Sequence, residues 1–401
     1  MSTSAWLLWC IREVYYVFLE PIFVFLGVAK FGFGDATYGR DALPYSASER
    51  RDIYENPDVT VTRRRVYMSR NEPILSMKLR DVDRALPFTF GGKKVTAFIN
   101  YYVWEMPHIS QREHLNADVY LVHGINEYSG RCTPQAVIHM KNGFRTIAID
   151  MPNFGRSSGL QGHLPTLRLN EGALDAVMYH VYMCDQHNGM KDLHKRKRFA
   201  QGGSMGGFTV AYHAALHPPA SHPDFLALDG ISMTAPMLRI APETRPPLIV
   251  EKTARCIAFF AGRLGVLRAI RGKLSDDPRV ELFARNDIQG YHGLVRVDTG
   301  LAIVDGLVHL DEIADAIQCP VSIHHGTADR VTDPAGSRMF YDRMRVEKKS
   351  LRLWPSWEHA MVKNYPGMSD QDIANRNELL GDISQWFMQI TRDSTQASVL
   401  P

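Results

Sequence analysis

The segment Gly202-Gly203-Ser204-Met205-Gly206 constrains this chain more than any other. It follows a short apolar run and opens a proline-free stretch that ends at Pro218-Pro219, the pattern of a strand that turns abruptly into a helix. Such a turn needs glycine where backbone segments pass too close for a Cβ and where dihedrals strain any other residue. The serine is pushed into the open at a helix N-terminus, whose positive pole favours negative charge developing on its oxygen. The basic residues 194–198 read as the solvated entrance to that strand. An ordinary glycine-rich turn has the same local signature, so the surrounding sequence has to decide.

Short apolar runs at 119–122, 146–149, 199–200, 225–233, 321–323 and 351–354 alternate with helix-sized stretches. They predict an α/β fold with a mostly parallel central sheet and helices on both faces. Earlier runs at 59–67, 74–79 and 95–104 predict antiparallel strands at one sheet edge, and the polar residues 31–57 a linker. Ligands on such sheets bind beyond the carboxyl ends of the strands. At those ends stand His123-Gly124-Ile125, the turn of Ser204, Asp329 and His359, so serine, aspartate and histidine arrive in the chain order of an α/β-hydrolase triad.

Histidine suits a base that takes and returns one proton, because its ordinary pKa of about 6.5 lies near working pH. His359 lies in a loop after the last strand and before the terminal helix expected over 375–390, whereas His324 and His325 lie in or at the end of a strand. For the acid, Asp333 precedes Pro334 and reads as a helix cap, which leaves Asp329. The backbone N–H groups of Met205 and Ile125 are the expected oxyanion donors, with Gly124 allowing close approach and His123 organising the loop.

These residues resemble the monoacylglycerol lipase family within the serine aminopeptidase-like α/β-hydrolases. The matching stretches are HGINEYSGR (123–131), GRSSGLQGHLP (155–165), GGSMGG (202–207), HGTADRVTDP (325–334) and WEHAM (357–361), within a resemblance spanning about residues 90–392. It implies Ser204 as nucleophile, Asp329 as acid and His359 as base, and places Glu127 and Arg131 at the polar end of the substrate pocket. No cofactor and no metal are expected. Three positions depart from the family: Asn153 replaces a glycine, Gly203 replaces a larger polar residue before the nucleophile, and Val362 stands where such lipases often carry a second histidine. The last weakens the inference of monoacylglycerol preference.

The interval between 233 and 321 is too long for a simple crossover and predicts an inserted lid. Within it residues 255–271 predict a helix with Phe259, Phe260, Leu267 and Ile270 on one arc, facing the core or a membrane, and Arg263 inside that arc. The expected division is 1–35 apolar N-terminal helix, 58–236 and 307–392 hydrolase core, 237–306 lid, and 393–401 tail. In residues 5–29, Arg12, Glu13 and Glu20 fall in one quadrant of a helical wheel, and Pro21 is a potential kink. That stripe fits a helix lying in a membrane interface, crossing it, or packed on the domain. Five scattered cysteines imply a reducing, intracellular setting, with no disulfide framework and no zinc site built from them. A net charge of +3 gives no case for nucleic acid.

The sequence therefore predicts a serine ester hydrolase acting on monoacylglycerol or a related lysolipid at a membrane surface. The alternatives are a broad carboxylesterase, a serine aminopeptidase using Asp276, Asp277 or Glu281 to bind an amine, or a non-catalytic scaffold.

Overall fold

Apolar runs that must be covered on both faces dominate the structure. The computed structural model describes residues 3–68, 97–113, 115–219, 227–267 and 272–397. Its strands are β1 (Thr60–Met68), β2 (Ala97–Glu105), β3 (Ala117–Val122), β4 (Arg145–Ile149), β5 (Lys197–Gly203), β6 (Gly230–Thr234), β7 (Gly265–Leu267), β8 (Val295–Arg296), β9 (Val321–Gly326) and β10 (Lys349–Trp354). Eight of them form one sheet in the order β1-β2-β4-β3-β5-β6-β9-β10, while β7 and β8 form a separate ribbon. Only the β1–β2 and β2–β4 pairings in the large sheet are antiparallel. β3, β4, β6 and β9 are buried along their whole length, which is why they read as unbroken apolar runs.

Each sheet face has its own core. On one side Leu174, Phe208, Leu310 and Phe340 pack from four helices; on the other, Met140, Leu379, Ile383 and Phe387 pack from two. Phe387 stacks on Phe199 of β5 at 4.6 Å between centroids, and burying a side chain of that size contributes about 1.5–3 kcal/mol. β5, which leads directly into Ser204, is thus clamped from both sides near the middle of the sheet.

Several expectations need correction. Residues 31–57 are not a linker: Ile53 is fully buried, and Arg40 donates to the carbonyls of Gly155, Ser157 and Gly159. The N-terminal helix runs over Thr3–Val14, widens at Tyr15–Leu19, and resumes over Glu20–Phe25 without breaking at Pro21. Its acidic stripe faces the protein rather than water. Glu13 pairs with Arg296 at 3.0 Å, and Glu20 accepts from Gly32 N and Tyr38 Oη and lies 3.9 Å from Arg263. The helix expected at 255–271 is Leu248–Ala261. Arg263 lies beyond it, half-buried against Glu20 and the Phe31 ring, and Phe259 and Phe260 are exposed instead of packed on the core. Residues 74–79 and Ile270 lie outside the described residues.

The expected boundary at 306/307 cuts the helix Val297–Ile313, and the last helix, Asp370–Ala397, passes through 392. Between β6 and β9 lie the helices Leu248–Ala261, Pro278–Asn286 and Val297–Ile313 with the β7–β8 ribbon. Among the described residues no helix is long and apolar enough to cross a membrane. All five cysteines are unpaired.

Candidate active site

Ser204 sits between β5 and the helix Met205–Leu216 with φ 52° and ψ −118°. A non-glycine residue held there stores strain of about 1–3 kcal/mol, which the surrounding backbone must impose. That backbone is tightly fitted: a Cβ at Gly202 would lie 2.2 Å from the Gly206 carbonyl carbon, and one at Gly206 would lie 2.1 Å from Val122 O. Gly206→Ala therefore forces the turn away from the end of β3. It should cost about 3 kcal/mol or more, measured as a fall in denaturant midpoint or in folded yield relative to wild type.

Gly203 is less constrained: a Cβ there would meet Thr234 Oγ1 at 3.2 Å, a contact that a small shift of that hydroxyl relieves. Asn153 keeps the role of the glycine it replaces. It adopts φ 67°, a left-handed conformation that asparagine tolerates, and its amide donates to His163 O.

Asp329 and His359 meet beyond the ends of β9 and β10. His359 Nδ1 donates to Asp329 Oδ2 at 2.7 Å, which leaves Nε2 as the proton-accepting nitrogen. The other carboxylate oxygen accepts from Val331 N and Thr332 N. His325 Nε2 and Thr332 Oγ1 also reach Oδ2, at 3.1 and 2.9 Å. Burial would push the Asp329 carboxyl up, but the charge of His359 and these hydrogen bonds outweigh it and hold the group well below the usual carboxylate range. Asp333, the competing acid, caps the helix Pro334–Arg343 by accepting from Ala335 N.

Ser204 and His359 line one cavity of about 250 Å³, together with His123, Gly124 and Ile125. No hydrogen bond joins Ser204 to His359 among the described residues; in sites without substrate such bonds are commonly long and tighten on binding. His123 is a buried loop organiser. Its Nδ1 donates to Gly124 O, its Nε2 accepts from Met151 N, and burial lowers its pKa despite the first bond. Gly124 approaches Ser204 so closely that a Cβ on it would stand 3.4 Å from that of the serine, which brings the next amide, Ile125, beside the turn.

Glu127 and Arg131 both line the cavity but do not pair with each other. Glu127 accepts from Gly124 N at 2.9 Å and so shapes the loop. Arg131 pairs with Asp287 at 3.1 Å and lies over the Phe283 ring. The opposite wall comes from the inserted stretch, with Val280, Phe283 and Tyr291. Tyr291 N donates to Asn126 O and Ala360 N to Leu274 O, which stitches that stretch to the Ile125 and His359 loops. Of the residues that support the site, His325 and Thr332 were not singled out for this role from the sequence; their spacing of four before and three after Asp329 was the available signal.

A mostly parallel sheet covered by helices on both faces, with a strained serine at the end of a central strand and histidine-bearing and aspartate-bearing loops at the same sheet end, defines the α/β-hydrolase fold. Within that fold, the chain belongs to the serine aminopeptidase S33 family, whose sequence pattern matches residues 113–365. Its relatives include the monoacylglycerol lipase of Mycolicibacterium smegmatis, 26% identical over 276 residues (67% of this chain, 87% of that protein). Another is the caffeoylshikimate esterase of Arabidopsis thaliana, 24% identical over 278 residues (68% of this chain, 78% of that protein). A solved structure of a soluble variant of Saccharomyces cerevisiae monoglyceride lipase, in complex with a substrate analog, matches with a TM-score of 0.59 at 20% identity. It covers 75% of this chain and 94% of that one, a likeness of fold. The protein is thus a monoacylglycerol lipase-like α/β-hydrolase of the serine-hydrolase type, and its relatives place it among ester hydrolases.

Proposed function

We propose that Ser204, His359 and Asp329 act as a triad that hydrolyses acyl esters of monoacylglycerol or a related lysolipid through an acyl-enzyme. The observation that carries this reading is the 2.7 Å bond from His359 to Asp329, beside a cavity that also holds the strained serine. His359 Nε2 takes the Ser204 proton as Oγ attacks the ester carbonyl, and the oxyanion is met by the N–H groups of Ile125 and Met205. The same proton passes to the departing alcohol. Water, activated by His359, then releases the fatty acid and restores the serine.

The acids available to hold a substrate amine argue against an aminopeptidase. Glu281 accepts from Gly272 N and Leu274 N, Asp277 caps the helix Pro278–Asn286 and binds Arg279, and Asp276 pairs with Arg330. Apolar lining from Ile125, Leu267, Val280 and Val362 suits an acyl chain. We retain residues 237–306 as the approximate extent of a lid, with the helix Val297–Ile313 bridging lid and core.

A lipid surface is part of the same proposal. With Glu13 and Glu20 turned inward, the N-terminal helices leave Leu8, Ile11, Ile22 and Phe25 exposed, and Phe259 and Phe260 on the lid are 83% and 81% exposed. Such faces favour the acyl boundary of a membrane.

One experiment tests both parts. Wild type is expected to hydrolyse long-chain monoacylglycerol in vesicles faster than it cleaves an aminoacyl-arylamide. Phe259→Ser/Phe260→Ser should lower vesicle binding by at least about tenfold while leaving cleavage of a water-soluble short-chain ester unchanged. Preference for the arylamide would sink the lipase reading, and unchanged vesicle binding would remove the membrane face.

A further inference from the structure

Away from the cavity, the helix Arg168–His187 and the helix Met205–Leu216 bring together a second cluster of ionisable groups. Glu171 and Asp175 are four residues apart on the first helix; His213 and the capping residue His217 are four apart at the end of the second. That spacing points each pair to one side of its helix. Glu171 Oε1 lies 2.6 Å from His217 Nε2 and 3.6 Å from His213 Nδ1, and the two imidazole rings stack at 4.4 Å. One donor atom from each of Glu171, His213 and His217 lies within 4.8 Å of the other two.

All three residues, and Asp175, are buried to 3% exposure or less. Glu171 Oε2 and both carboxylate oxygens of Asp175 have no hydrogen-bond partner. A buried carboxylate oxygen left without a partner costs free energy that a bound cation would recover.

We propose that Glu171, His213 and His217 form a binding site for a divalent transition-metal ion of the zinc type, with the Asp175 carboxyl one turn along the same helix. Two imidazoles with carboxylate oxygen suit zinc, whereas calcium and magnesium favour all-oxygen sets. None of the four residues lines the cavity, so the ion's role is structural. It would fasten the helix Met205–Leu216, which Ser204 precedes, to its neighbour and add binding free energy to folding.

The test uses the full chain, produced with zinc and dialysed free of excess ion, with zinc content, cobalt absorption and melting temperature as readouts. One equivalent of zinc per chain is expected, with a melting temperature that falls on chelation and returns when zinc is restored. Glu171→Gln and His217→Gln should each weaken zinc binding by more than the roughly 10–100-fold that follows loss of an outer hydrogen-bond partner. Wild type that binds no zinc, gives no cobalt band and melts unchanged with chelator would overturn the proposal. So would folded variants that keep full zinc affinity. Ester turnover is not a readout, so this result stands apart from that of the proposed hydrolase.

Discussion

Ser204→Ala is expected to lower the turnover of an acyl ester by about a million-fold while the protein folds as before. The substitution removes one oxygen from a turn whose geometry is set by Gly202, Gly206 and the Ser204 backbone. The Ser204 carbonyl accepts from Phe208 N and Met237 N, and its N–H donates to Thr234 O, none of which involves the side chain. Residual rate over water would come from the oxyanion donors and substrate binding alone. The check is single-turnover kinetics on a chromogenic ester, paired with labelling by a fluorophosphonate that should mark wild type and not the variant. A loss of less than tenfold would mean that another residue is the nucleophile, and an unlabelled wild type would favour the scaffold alternative.

Asp329→Asn should be the next largest loss, about ten-thousand-fold in kcat. The substituted side chain keeps the shape but no longer carries the charge that stabilises protonated His359, and its amide can donate towards Nδ1 and impose the wrong tautomer. The same change alters the pH dependence of stability. Burial, opposed and outweighed by the charge of His359 and the surrounding hydrogen bonds, depresses the folded-state pKa of Asp329. Its contribution is therefore fully present above the unfolded value of about 3.9 and fades as pH falls below it towards the folded value. Denaturant midpoints from neutral to acid pH should fall less steeply for Asp329→Asn than for wild type. Equal slopes would mean that the carboxylate is not held by these partners.

The parts of the molecule legible in the sequence are those fixed by local pattern. The turn at Ser204, the His123-Gly124 loop and the Asp-Pro cap at 333–334 each carry their geometry in a few neighbouring residues. The runs of β3, β4, β6 and β9 are apolar throughout because both of their faces are buried. What was not legible depends on which distant surface lies opposite. A helical wheel gathers Arg12, Glu13 and Glu20 on one side, but only tertiary structure reveals that Arg263 and Arg296 wait there for the two glutamates. Arg40 sits in a polar stretch typical of linkers, yet its guanidinium is spent on loop carbonyls more than a hundred residues away. His213-x-x-x-His217 and Glu171-x-x-x-Asp175 are each visible as spacings, and nothing in either predicts that one faces the other.

The pairing of Glu13 and Glu20 with Arg296 and Arg263 has a mechanical consequence. Those arginines flank the stretch that supplies Val280, Phe283 and Tyr291 to the cavity wall, so the N-terminal helices are tied to the segment that closes one side of the cavity. Prising them apart would strand buried carboxylates, at a cost of about 3–5 kcal/mol for each broken pair. Cavity wall and N-terminal helices are therefore held as one unit, and a displacement of either is resisted by the other.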